Sequence, residues 1–304
     1  MKKWIKRILL GVVVLIVVLG GGFGIFACVQ ISRYESSMEK VYDVPPMAIT
    51  ISTDDAVLAR GAHLAESVAP CANRDCHGSD LAGGSNIEVG PVGNFCGPNI
   101  SKGGLGAVYT DGELARLVRH GIKKDGRGVR FMPSHEFGFL PDSDLVAVIS
   151  YLRTLPPVTR PNAPMRIKWF GKVLDRMDAI PLDVARRIDH EKPDLAGAPE
   201  PTAAYGRFLA KGCTGCHGKK FSGGPIPGAP SKFATPLNIT PHESGLKDWT
   251  FEDFDKLLST GVRKNGRQLD VFMPLDAIGQ LDPIERKALW EYLRTLPPVP
   301  FGKR

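Results

Sequence analysis

The chain has 304 residues, room for two domains of ordinary size, and its 43% hydrophobic and 23% charged content is that of a globular protein. Net charge is +7, but four basic residues lie within the first seven positions, so the remainder carries only +3. With no basic run beyond the N-terminus, a nucleic-acid partner is excluded, while 34 Gly and 25 Pro predict a fold rich in turns and loops.

Residues 1–30 read as a membrane anchor. From Ile8 to Val29 the sequence is apolar throughout, long enough to cross a bilayer as one helix. Lys2, Lys3, Lys6 and Arg7 hold their end in the cytoplasm and place the bulk of the chain outside. A cleaved signal peptide is the competing reading; the apolar stretch is long for one and lacks a small-x-small cleavage site. Ile25-Phe26-Ala27-Cys28 resembles a lipoprotein cleavage box into which Phe26 fits poorly. Otherwise Cys28 is a small apolar residue of a membrane helix. Residues 31–52 read as a tether stiffened by Pro45-Pro46, with Tyr34 at the headgroup level.

Residues 53–158 and 199–304 then form two copies of one 106-residue unit. Cys76-His77-Gly78 parallels Cys216-His217-Gly218, Asn99-Ile100-Ser101 parallels Asn238-Ile239-Thr240, and Phe131-Met132-Pro133 parallels Phe272-Met273-Pro274. Tyr151-Leu-Arg-Thr-Leu-Pro-Pro-Val158 recurs unchanged as Tyr292 to Val299. The offset drifts only between 139 and 141. Each copy carries three helical signals. The first is Asp54–Glu66 in copy one and Ala203–Lys211 in copy two. The second follows the capping boxes Thr110/Glu113 and Thr250/Asp253 and stops at Gly121 and Gly261. The third runs Asp142–Thr154 and Asp282–Thr295, ended by Leu-Pro-Pro. The Gly-rich stretches 78–108 and 218–246 read as loops. Residues 159–198 belong to neither copy: they are a linker, either a plain connector or, through Trp169-Phe170, a piece that packs on a neighbouring unit.

Cys213-Thr-Gly-Cys216-His217 is the attachment pattern of a c-type haem. One turn of chain brings two sulfurs to the vinyl groups on one porphyrin edge, and the next imidazole meets the iron. Without the histidine the pair would read as a redox or zinc site. Of seven methionines only Met132 and Met273 occupy equivalent places, 55 and 56 residues after His77 and His217. As a matched pair they read as iron ligands rather than core filler. Copy one departs from the pattern: Cys71 to Cys76 spans CxxxxCH. Either Cys71 and Cys76 both form thioethers through a longer turn, or Cys76 alone does and Cys71 pairs with Cys96 in a disulfide. His135 is a weaker candidate ligand beside Met132. His63, His120, His190 and His242 read as surface residues. A backbone carbonyl near Asn99 and Asn238 is expected to accept the proton of the axial imidazoles.

These residues resemble the class I cytochrome c domain, and the resemblance covers both repeats. It implies an all-α fold of short helices and long loops around haem, with the first and last helices crossing at Gly61/Tyr151 and Gly206/Tyr292. It also implies two haem c groups, with covalent attachment at Cys71, Cys76, Cys213 and Cys216 and axial ligands His77, Met132, His217 and Met273. Two filled iron sites leave no place for a small-molecule substrate, so the expected role is an electron carrier, not an enzyme. Its expected partners are a redox donor and acceptor on the periplasmic face of a bacterial cytoplasmic membrane. The alternatives are a cytochrome subunit of a dehydrogenase or oxidase complex and a diheme peroxidase, the latter disfavoured by the Met-Pro at both sites.

Overall fold

The computed structural model describes residues 3–227, 229 and 233–304. Helix α1 (Lys3–Met38) leads into a first group of helices: α2 (Asp55–Glu66), α3 (Asp111–His120), α4 (Ser134–Phe137) and α5 (Asp142–Thr154). After α6 (Trp169–Arg176) a second group follows: α7 (Ala203–Leu209), α8 (Thr214–His217), α9 (Phe251–Thr260), α10 (Leu275–Ile278) and α11 (Pro283–Thr295).

Local chemistry sets the helix ends. Asp54 caps α2 through the amides of Ala56 and Val57. Both expected capping boxes form, Thr110 with Glu113 and Thr250 with Asp253, and a third joins Asp282 to Glu285. Gly121 and Gly261 end α3 and α9 at φ of +64° and +72°, a region costly for any residue with a Cβ.

The first and last helix of each group cross at a glycine. A Cβ on Gly61 would strike the carbonyl of Ala147 and the side chain of Tyr151; a Cβ on Gly206 would strike Ala288 and Tyr292 in the same way. Around the first crossing Leu64, Leu145, Val148 and Ile149 are fully buried with Leu114 and Val118. Each buried aliphatic side chain contributes about 2 kcal/mol. The second core gathers Phe254, Leu258, Leu289, Trp290 and Leu293. The cores meet: Tyr205, Phe208 and Ala288 pack into the first cluster, and Val68 and Leu209 touch both.

Three expectations change. The fold is mostly helical but not all-α. Strands β1 (Ile87–Val89), β2 (Gly93–Phe95) and β3 (Arg166–Ile167) form an antiparallel sheet, so the 78–108 stretch is not wholly loop. The linker is no plain connector, because β3, α6 and the segment after it pack Ile167, Phe170, Leu174 and Leu182 against Val92, Phe95, Tyr34 and Met38. The anchor helix runs nine residues past Val29, into the supposed tether, and Tyr34 is buried in that cluster. The apolar part of α1 is long enough to cross a membrane, and nothing in the described chain covers it.

Candidate haem centres

The two histidines that follow the cysteines are held alike. His77 Nδ1 lies 2.8 Å from the carbonyl of Pro98, and His217 Nδ1 lies 2.7 Å from the carbonyl of Leu237. A carbonyl only accepts, so each Nδ1 carries the proton and each Nε2 keeps its lone pair, the tautomer a metal ligand needs. Burial also lowers both imidazole pKa values, which keeps the rings neutral.

The acceptor carbonyls belong to loops built from the same bonds twice. Asn99 Nδ2 donates to the Val158 carbonyl and Asn238 Nδ2 to the Val299 carbonyl, both at 2.7 Å. The hydroxyls of Ser101 and Thr240 donate to the Asn99 and Asn238 side chains at 2.7 and 2.8 Å. Those hydroxyls in turn accept the amides of Val158 and Val299, both at 3.2 Å. The last residue of each Leu-Pro-Pro-Val segment therefore ties down the loop that fixes the imidazole. The amides of Gly83 and Gly223 also return to the carbonyls of His77 and His217, at 2.9 Å each.

The cysteines fit haem attachment better than thiol chemistry. Burial pushes the Cys71 and Cys213 thiols up to about 12 and Cys76 to about 11, which disfavours the reactive thiolate. Neither cysteine–histidine turn converges on a metal ion: among the described residues only His63, Asp282 and Glu285 gather three donor atoms. Those three are already engaged, since Glu285 takes Arg60 on one oxygen at 3.3 Å and His63 on the other at 2.8 Å. Cys213 caps the single turn of α8, which carries Cys216 and His217. In the first unit the longer Cys71–His77 segment closes with the His77 amide on the Cys71 carbonyl at 3.1 Å. The Cys71 thiol lies within electrostatic reach of Cys76, whereas Cys96 turns its thiol to the carbonyls of Gly84 and Gly97.

Met132 and Met273 lead into the short helices α4 and α10, whose first amides take the methionine carbonyls. Met132 is half-buried against the first core. The phenylalanine before each packs on an aromatic ring a few residues before the histidine's acceptor carbonyl: Phe131 meets Phe95 of β2 at 4.4 Å with the rings tilted by 37°, and Phe272 stacks on Phe233 at 4.5 Å. The ring pairs link the methionine loop to the histidine loop in each unit. Phe131 has φ +66°, a strained value Phe272 does not share.

Each cysteine turn also touches the methionine-side helix of the other unit. Asn73 donates to Asp276 of α10 at 2.8 Å, and Glu136 of α4 lies against Gly215 of α8. Burial pushes the Glu136 carboxyl up to about 8. His135, the weaker candidate ligand, has its Nε2 3.8 Å from Glu136, and burial lowers it to about 4. Arg60 joins Asp144 at 2.8 Å as well as Glu285, so one guanidinium bridges the equivalent acids of both units. Sequence alone does not reveal Glu136, Arg60 or the aromatic pairs as contacts. The expectation of surface histidines fails for His120, which is buried against His190 with its Nδ1 3.2 Å away, and for His63, half-buried at the interface.

Residues 203–297 match the Cytochrome c family. That segment is a cytochrome c domain. It implies a haem c with its iron, and its own residues fit the group: two half-buried thiols and a buried imidazole locked in the ligand tautomer. The chain is also similar to the cytochrome c subunit of alcohol dehydrogenase (quinone) from Komagataeibacter europaeus, 28% identical over 289 residues, covering 84% of this chain and 59% of that protein. The gluconate 2-dehydrogenase cytochrome c subunit of Pantoea cypripedii is 34% identical over 216 residues, covering 66% of this chain and 43% of its own. The fructose dehydrogenase cytochrome subunit of Gluconobacter japonicus is 33% identical over 117 residues, covering 36% and 24%. The likeness is to electron-transfer subunits rather than to catalytic enzymes, and the chain spans 59% of the length of the alcohol dehydrogenase subunit.

Proposed function

We propose that this chain is an electron-carrying cytochrome subunit of a membrane-bound dehydrogenase complex, holding one haem c in each unit. The observation that carries this is the imidazole cradle, built twice from the same asparagine, hydroxyl and valine carbonyl. Cys213, Cys216, His217 and Met273 would hold the second haem; Cys71, Cys76, His77 and Met132 would hold the first. When bound, each group supplies an iron that cycles between ferric and ferrous states. The chain's own residues set what that cycle can do. The backbone carbonyls of Pro98 and Leu237 keep the imidazoles in place, the methionines would leave no position for substrate, and the aromatic pairs tie down the methionine loops. The contacts between each cysteine turn and the opposite methionine-side helix bring the two sites to one interface, suited to transfer within the molecule. Helix α1 would hold the assembly on the periplasmic face of the cytoplasmic membrane, beside a dehydrogenase that delivers electrons, as the names of the relatives suggest.

The test is the intact mass of the chain made in cells that attach haem c, after non-covalent haem is extracted. Two covalent haems are expected, and a single haem on the 213–217 peptide would overturn the paired reading. Rapid mixing of the reduced protein with peroxide should show no catalytic oxidation; a fast reaction would turn the assignment toward a peroxidase.

A further inference from the structure

Where α1 leaves its apolar stretch, a cleft of about 490 Å³ opens, lined by Gln30, Ser32, Arg33, Ser36, Arg176 and Arg186. Every one of these side chains can donate a hydrogen bond, three are guanidinium ions, and none is acidic. We propose that this cleft binds the phosphate of an anionic phospholipid headgroup, the inference resting on α1 as a membrane span.

Position supports the assignment. The apolar run from Ile8 to Val29 is about 33 Å long as a helix, matching a hydrocarbon core of about 30 Å. Gln30 is the first polar residue past that run, and Ser32, Arg33 and Ser36 follow within two turns, at the depth of the headgroup layer. The α6 side of the cleft is fixed from behind. Arg176 is paired with buried Asp175 and Asp183, both at 2.7 Å, and Arg186 with Asp178 at 2.8 Å. These carboxylates orient the guanidinium planes from the protein side, the buried Arg186 Nε itself lying 3.8 Å from Asp183. Across from them Arg33 is exposed on α1 and has no ion pair among the described residues. Guanidinium forks match phosphate oxygens two at a time, and a donor-lined cleft without carboxylates in its wall selects an anion over a zwitterion's ammonium.

The full-length protein would be reconstituted in phosphatidylcholine vesicles with and without added phosphatidylglycerol, and the lipid retained after gentle detergent extraction counted by native mass spectrometry. Retention of phosphatidylglycerol is expected, with a drop of about five-fold for each guanidinium removed in Arg33→Gln and Arg186→Gln. Arg33→Gln alone carries the test should Arg186→Gln perturb the fold, because Arg33 is an exposed position outside the ion-pair network. Equal retention by wild type and Arg33→Gln overturns the proposal. So does release of the lipid by millimolar inorganic phosphate, which would make this a free-phosphate site. Alkaline extraction of the same vesicles separates the two layers of inference. Protein that stays with the vesicles but shows no phosphatidylglycerol preference sinks the headgroup site alone, whereas protein that washes off sinks the membrane span and the site with it.

Discussion

The two cysteine–histidine turns differ on the side of the first helix and agree from the histidine onward. Gly61 precedes Cys76 by 15 residues, Gly206 precedes Cys216 by 10, and two of the five extra residues make CxxxxCH out of CxxCH. Yet beyond the histidine the same Gly amide, the same Asn–hydroxyl pair and the same valine carbonyl recur within about 0.1 Å. The comparison teaches that the imidazole is placed by the loop after it rather than by the cysteines before it. On the proposed function the cysteine turn can lengthen because it would only have to deliver sulfur, whereas the loop would have to fix a ring nitrogen to a fraction of an ångström.

The sharpest way to break this equivalence is through the sixth ligand. Met273→Ala and Met132→Ala should each make one iron, and only one, bind carbon monoxide, read as a half-sized difference spectrum. A variant that binds none would show that its methionine is not the ligand; one that binds at both irons would show that the units are not independent. Next comes the glycine crossing. Gly61→Val and Gly206→Val should each cost about 3 kcal/mol or more in urea unfolding, since a backbone carbonyl blocks the new side chain in both units. A marked difference between the two would mean that one crossing relaxes where the other cannot.

Smaller in energy, but decisive for the odd half, is the fate of Cys71. Peptide mapping should find Cys71 and Cys76 on one haem peptide and Cys96 free to alkylation after denaturation, as the direction of the Cys96 thiol toward Gly84 and Gly97 suggests. A Cys71–Cys96 bond would instead leave Cys96 unlabelled and the first haem held by one sulfur.

What the sequence made legible was local. Capping boxes, glycine stops and Leu-Pro-Pro ends lie within a few residues of the helices they bound, and they sit where expected. The loop holding each imidazole could be named from Asn99 and Asn238, but not the accepting carbonyl, which is set by a turn of backbone. Contacts across long separations were not legible. Arg60 and Glu285 are 225 positions apart, and β3 has two residues, too few for an alternating pattern. The overrun of α1 has a similar cause: hydropathy falls at Gln30, but no Gly or Pro interrupts the chain before Pro45, so the helix continues on its packing against α6.

The smallest effect tests where the two units part company. His63 lies at the place that Phe208 takes in the second unit, so only one half carries an ionisable group there. Its pKa is raised above the ordinary 6.5, first by its hydrogen bond to fully buried Glu285, with burial and Arg60 opposing. In the unfolded chain the ring titrates near its ordinary value of about 6.5. The stabilisation from the charged pair is therefore full below that pH and fades as pH rises through the higher native value. Because His63 keeps about a quarter of its side chain in solvent, the gain is modest. His63→Gln should cost about 1 kcal/mol at about pH 6 and less at about pH 9 in urea unfolding. Phe208→Leu in the second unit should carry a cost that does not change across that range. A His63→Gln penalty equal at both pH values would mean that the neutral imidazole holds Glu285 as well as the charged one, leaving the interface without a pH-dependent side.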